Sequence, residues 1–346
     1  MYVLGKPIHG DDSYLHPEAI DFSSNVSPLG PGEKVIKAIE ENAGNIFRYP
    51  SGGEKLREII AERHELKQEN IALGNGSSEL IKNFCEVFVE RGERVLIAGP
   101  TFSEYDYFSR LGGAEVQYTG LPENLGVDAG ALTEKNFKAI FICHPNNPSS
   151  HIFTNLDSLL EKSSALVFVD EAYIEFSEIE SFSELVENYK NLFVLRSLTK
   201  FYSMPGLRIG YALSCRENIE RVESYQPPWN VNTLALYAAE AALKDENFIK
   251  ESKKFFRAER EFLFRRLSEV DGLQVKPSYT NFFLLKLKIP AKKAKGMLLR
   301  KGILVRDCSS FGLENYIRVC IRKREENLKL LEAMEELNAA AGKEES

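Results

Sequence analysis

Lys200 ends the run Ser197-Leu198-Thr199-Lys200, and Arg208 follows eight positions later. Asp170-Glu171-Ala172-Tyr173 closes an earlier apolar run, and Pro145-Asn146-Asn147-Pro148 closes one before that. A lysine amine with a lowered pKa captures carbonyl groups as an imine, and once displaced it can shuttle a proton. A carboxylate such as Asp170 keeps a pyridine-type nitrogen protonated, so that the ring accepts electrons from a developing carbanion. The Tyr173 phenol and the Asn147 amide can donate to a ring oxygen without competing for its charge.

Leu73-Gly74-Asn75-Gly76-Ser77-Ser78-Glu79 opens a helical stretch. Glycines allow close backbone approach, and the free N–H groups at a helix start (Gly76, Ser77, Ser78) favour an anion. With Ser197, Thr199 and Arg208 they make a phosphate cup, although the lysine of a P-loop is missing. Phe102 offers an aromatic face for stacking. Arg306 and Arg318 each lie within or beside an apolar run, where a guanidinium is costly unless it meets an anion, here a substrate anion. Singly these are ordinary features: most lysines are solvated, Asp caps turns and Asn-Pro makes them. As an ordered set they match what pyridoxal 5'-phosphate requires of a protein.

Elements must bring them together. Residues 95–98, 139–143, 166–169, 192–195 and 209–213 are short, continuous apolar runs that predict strands buried on both faces of a mostly parallel sheet. Residues 78–89 predict a helix with Leu80, Ile81, Phe84, Val87 and Phe88 on one face. Open α/β sheets bind ligands at the carboxyl ends of their strands, where Asn147, Asp170 and Lys200 stand. Beyond Pro227-Pro228 the texture shifts to helices near 232–243, 247–270, 292–301 and 325–340, with strands near 274–275, 281–287, 303–306 and 316–321. The expected fold class is α/β, divided into an N-terminal arm (1–44) packing on a small domain, a large cofactor-binding domain (45–235) and a smaller α+β domain (236–346).

The 346 residues suffice for such an arrangement. A formal charge of -7 disfavours a nucleic-acid or membrane-surface partner, and no apolar run reaches the roughly 18 residues of a membrane span. Cys85, Cys143, Cys215, Cys308 and Cys320 are scattered without CxxC spacing, so neither a disulfide framework nor a metal site is expected. The N-terminus lacks the apolar core of a secretory signal, which leads to the expectation of a cytoplasmic protein.

Over essentially its whole length the chain resembles the fold-type I, pyridoxal-phosphate-dependent aminotransferase superfamily. The resemblance rests on Asn146-Asn147-Pro148, Asp170-Glu171-Ala172-Tyr173, Ser197-Leu198-Thr199-Lys200 and Gly206-Leu207-Arg208-Ile209-Gly210. It implies that Lys200 carries the cofactor as an imine and Asp170 pairs with its ring nitrogen. Tyr173 and Asn147 would then hold the ring oxygen, and Ser197, Thr199 and Arg208 the phosphate. Tyr49, in Phe47-Arg48-Tyr49-Pro50, resembles a tyrosine that reaches the neighbouring subunit's phosphate, which implies a homodimer with shared sites. Within the superfamily the chain is similar to histidinol-phosphate aminotransferases and more so to threonine-phosphate decarboxylases. The latter likeness lies in His9-Gly10, Ile20-Asp21-Phe22-Ser23-Ser24-Asn25 with Pro28-Leu29-Gly30, Thr199–Arg208, Pro228-Trp229-Asn230-Val231-Asn232 and Arg306–Phe311. It implies a small phosphorylated amino-acid substrate, contacted by His9, Asn25, Arg306 and Arg318, and its decarboxylation. Asp11 departs from the glycine usual in those decarboxylases and leaves the role of His9 open. The alternatives are amino transfer from histidinol phosphate and a non-catalytic binding protein on the same scaffold.

Overall fold

The computed structural model describes residues 12–120, 132 and 136–344. A seven-stranded sheet runs in the order Ile71–Gly74, Gly210–Leu213, Leu192–Ser197, Leu166–Asp170, Ala139–Cys143, Arg94–Ala98, Glu115–Thr119. Gly210–Leu213 is antiparallel to both its neighbours, and the other pairings are parallel. The five apolar runs expected as strands are all in this sheet. The two remaining strands carry weaker signals: Ile71–Gly74 is short and ends in glycine, and Glu115–Thr119 is a largely exposed edge strand.

Strand pleating places the site. Phe141, Phe168 and Phe193 are partners across three adjacent strands, so their rings line one face. The Ser77–Phe88 helix drives Phe84 among them, with ring centroids 5.4, 4.8 and 4.9 Å away. Full burial of such a ring is worth roughly 1.5–3 kcal/mol. The aromatic cluster thereby holds the start of this helix near the strand ends. Two residues beyond the phenylalanines, on the same face, come Cys143 and Asp170, which are themselves register partners. Ser197 continues the same row past Phe193 and Leu195.

A four-stranded antiparallel sheet (Arg306–Asp307, Tyr316–Cys320, Phe282–Lys286, Gln274–Val275) lies beside the long helix Glu246–Ser268, which in turn packs on the helix Arg324–Glu344. Ile20–Asp21 pairs in parallel with Ile303–Leu304. The chain then continues to the large sheet, where Ser27 N–H donates to the Lys200 carbonyl at 3.0 Å and Ser203 Oγ to the Ser27 carbonyl at 3.0 Å. Among the described residues no helix is long and apolar enough to cross a membrane.

On the opposite face of the sheet the same strand ends carry a buried ionic network. Arg196 Nε lies 2.9 Å from Glu171 Oε2, and Nη1 donates to Glu175 Oε1 at 2.9 Å. Ser181 Oγ accepts from Arg196 and donates to Glu171. The Glu171 side chain is fully buried and that of Arg196 is 7% exposed, so neither charge can fall back on water. The sequence reading ended this strand at Leu195; the structure carries it through Arg196 to Ser197, because Arg196 finds acidic partners next to Asp170. Removing one partner of a buried pair strands the other charge. Arg196→Met is therefore expected to cost about 3–5 kcal/mol in urea unfolding of the cofactor-free protein; a loss below about 1 kcal/mol, the range of exposed ion pairs, would contradict the burial argument.

Candidate active site

Lys200 stands three residues past the end of Leu192–Ser197, beside the strand that ends in Asp170. Its Nζ sits 5.4 Å from the centre of the Tyr173 ring and 3.5 Å from Thr199 Oγ1. Burial lowers the Lys200 pKa from its usual value; Asp170 opposes that shift, and Arg208 and Arg318 add to it. The shift moves the amine toward its neutral, nucleophilic form.

Burial acts oppositely on Asp170, raising its pKa, while Tyr105, the Ala172 amide and Lys200 pull it back. Asp170 Oδ2 accepts from the Tyr105 hydroxyl at 2.6 Å, and Oδ1 accepts from Ala172 N–H at 2.9 Å. Cys143 lines the same crevice with its thiol pushed up to about 12, mainly by burial, so it remains protonated and unreactive.

The Ser77–Phe88 helix starts from Gly76, whose φ is +81° and which supplies no side-chain cap, so the first-turn N–H groups are open to an anion. A Cβ on Gly76 would fall 2.6 Å from Arg208 Nη2, so the guanidinium can cover this turn only because the residue is glycine. A Cβ on Gly210 would meet the Arg196 carbonyl at 2.8 Å and Ser77 N at 3.0 Å; this close approach packs the helix start onto the strands. Ser197 Oγ and Thr199 Oγ1 are 2.8 Å apart. Ser77, Ser78, Phe102, Cys143, Asn147, Asp170, Ala172, Tyr173, Thr199, Lys200 and Arg208 line one cavity.

Arg318 Nη1 donates to Asn147 Oδ1, and Nη2 donates to the Ser23 carbonyl at 2.7 Å. With its oxygen facing Arg318, the Asn147 amide keeps its NH₂ as the donor end. Arg306 is the direct cross-strand partner of Arg318, and its Nη2 donates to Ser310 Oγ at 2.6 Å. Burial and the Arg318 charge lower the Arg306 pKa, while Cys308, Asp307 and Asp12 oppose the shift. Asn25, fully buried with φ +57°, donates to the Tyr173 hydroxyl at 3.2 Å, and its backbone carbonyl accepts from Asn281.

The residues singled out from sequence therefore converge, with two exceptions. His9 lies outside the described residues. Tyr49 is 76% exposed, away from the cavity, and stacks on Trp229 with centroids 4.2 Å apart. Asn25 meets the cavity through Tyr173, a link that its position in the chain did not suggest. Tyr105 and Cys143 are additions. Tyr105 comes three residues after Phe102, and the helix Glu104–Leu111 turns it onto Asp170.

The raised Asp170 pKa has a consequence for stability. Unfolded, this carboxyl titrates near about 3.9. The folded protein binds its proton more tightly, so stability linked to Asp170 is present at low pH and lost as pH rises through the folded pKa. In cofactor-free protein, Asp170→Asn is expected to raise the melting temperature at pH 8, with the gain shrinking toward pH 4. A melting temperature that falls at pH 8 would show that the carboxylate is not a net burden there.

Residues 17–334 match the family described as aminotransferase class I and II. Histidinol-phosphate aminotransferase 2 of Archaeoglobus fulgidus is 37% identical over 329 residues, which cover 94% of this chain and 95% of that protein. Among solved structures, a histidinol-phosphate aminotransferase from Clostridium acetobutylicum matches with a TM-score of 0.87 and 31% identity, covering 93% of this chain and 99% of the other. The L-threonine-O-3-phosphate decarboxylase from Porphyromonas gingivalis matches with a TM-score of 0.84 and 30% identity, over 92% and 98% of the two chains. The chain belongs to the class I and II aminotransferase family, with its fold-type I architecture and its dependence on pyridoxal phosphate.

Proposed function

We propose that this enzyme decarboxylates O-phospho-L-threonine to 1-aminopropan-2-ol phosphate, the linker unit of cobalamin synthesis. The observation that carries the reading is the cross-strand pair of buried arginines, Arg306 and Arg318, of which Arg318 bonds the cavity residue Asn147. The guanidinium forks of the pair suit the phosphate of such a substrate.

The cavity residues fit the cofactor: bare Gly76 lies beneath Arg208, a buried carboxylate faces the crevice, and a lysine with a lowered pKa stands opposite it. In this reading Lys200 anchors the cofactor and Asp170 holds its ring nitrogen. Tyr173 and Asn147 would donate to the ring oxygen, and Phe102 would lie against the ring. Gly76, Ser77, Ser78, Ser197, Thr199 and Arg208 hold the phosphate. When bound, the cofactor supplies an electron sink that stabilises negative charge at the substrate Cα. Arg306 and Arg318 orient the substrate. With its phosphate on the arginines, the substrate's carboxylate would be left free of them and could depart as CO₂. Lys200 Nζ would deliver the proton that replaces it at Cα, having taken that proton up from solvent.

Amino transfer from histidinol phosphate is the second reading, favoured by the relatives of that name at 37% and 31% identity. There Lys200 Nζ would take the proton from Cα of the carboxylate-free substrate. A binding protein without catalysis would have no need of the Lys200–Asp170 pair. In either catalytic reading the active form is a homodimer in which Tyr49, exposed and stacked on Trp229, reaches the partner's phosphate cup.

Holoenzyme incubated with O-phospho-L-threonine alone is expected to release CO₂ and 1-aminopropan-2-ol phosphate. Amino transfer from histidinol phosphate to 2-oxoglutarate, with no CO₂ from phosphothreonine, would select the second reading instead. For the shared site, mixing Lys200→Ala with Tyr49→Phe subunits is expected to restore activity beyond either variant alone; a fully active monomer in sedimentation would refute the sharing.

A further inference from the structure

Tyr105 is fully buried in the first turn of the Glu104–Leu111 helix. Its ring stacks on Phe141 with centroids 5.1 Å apart and planes 11° from parallel, and it meets Phe102 edge-on at 5.7 Å. Its hydroxyl donates to Asp170 Oδ2 at 2.6 Å, while Oδ1 takes the Ala172 N–H. We propose that Tyr105 is a positioning residue that keeps Asp170 ionised and aimed, so that the carboxylate can hold a protonated cofactor nitrogen. This rests on the assignment of Asp170 to that nitrogen.

A carboxylate in a dry crevice tends toward its neutral form, and a neutral acid cannot balance a pyridinium charge. Burial drives Asp170 that way, and Tyr105 leads the groups opposing it. A phenol suits the task because burial and the adjacent carboxylate push its own ionisation well above the usual value, so it remains a donor throughout the working pH range. An imidazole there would titrate. The Phe141 stack fixes the ring, and with it the direction of the O–H bond.

Tyr105→Phe keeps the ring and its stack and deletes the donor. Without the donor, Asp170 becomes a stronger base and draws the proton away from the cofactor nitrogen. In holoenzyme loaded with ¹⁵N-labelled cofactor, the ring-nitrogen shift is expected to move toward the unprotonated value. The turnover number should fall about tenfold with KM changed less than about twofold, the scale of one lost hydrogen bond to a charged group. Asp170→Asn, measured in parallel, separates the two claims. If that variant leaves the nitrogen shift in place, the assignment of Asp170 fails and the proposal with it. If Asp170→Asn moves the shift and Tyr105→Phe does not, the proposal for Tyr105 alone is overturned. Should the phenylalanine variant not fold, 3,5-difluorotyrosine at position 105 gives a stronger donor of similar shape. It must move the shift in the opposite direction, and an unmoved shift overturns the proposal.

Discussion

An amine and a carboxylate share one dry crevice, and each makes the other tolerable there. Burial lowers the pKa of Lys200 and raises that of Asp170, while the charge of each opposes the shift of the other. Neither group is settled by this pairing alone. Asp170 needs the Tyr105 hydroxyl and the Ala172 amide, and Lys200 lies within the fields of Arg208 and Arg318. The result is a site held away from the resting state of its own side chains. Such sites are kept for chemistry at the expense of stability.

The fold supplies that tension through strand register. Pleating alternates the phenylalanine row with the ionic network, so one face of adjacent strands ends in Cys143, Asp170 and Ser197 and the other in Glu171 and Arg196. The network therefore ties together the strand ends that present the cavity residues on the reverse face. Phe84 does similar work for the phosphate cup by anchoring the helix that starts at Ser77. On the other side, Arg318 bonds both Asn147 and the Ser23 carbonyl, and Asn25 bonds Tyr173. The segment from Ser23 to Ser27 thus links the anion-binding arginine to the donors intended for the cofactor's ring oxygen.

Much of this was legible in the sequence for a local reason. Lys200, Asp170 and Asn147 each end or follow an apolar run, and strand ends are where α/β sheets place ligands. Gly76 was legible because a glycine before a helix invites an anion. What stayed hidden depends on contacts between distant segments. Arg196 reads as the end of a strand until Glu171 and Glu175 are brought to it. Tyr105 reads as one more core aromatic until its helix turns it onto Asp170. Glu115–Thr119 lacks a continuous apolar run because it is an edge strand with one partner. Asn25 has its meaning only after the Ile20–Asp21 strand has been threaded beside Ile303–Leu304.

The account stands on Lys200 being the amine that carries the cofactor. Reducing the holoenzyme with borohydride, digesting it and sequencing the cofactor-bearing peptide by mass spectrometry tests this directly. The label is expected on Lys200, within Ser197-Leu198-Thr199-Lys200. A label confined to any other lysine would contradict it.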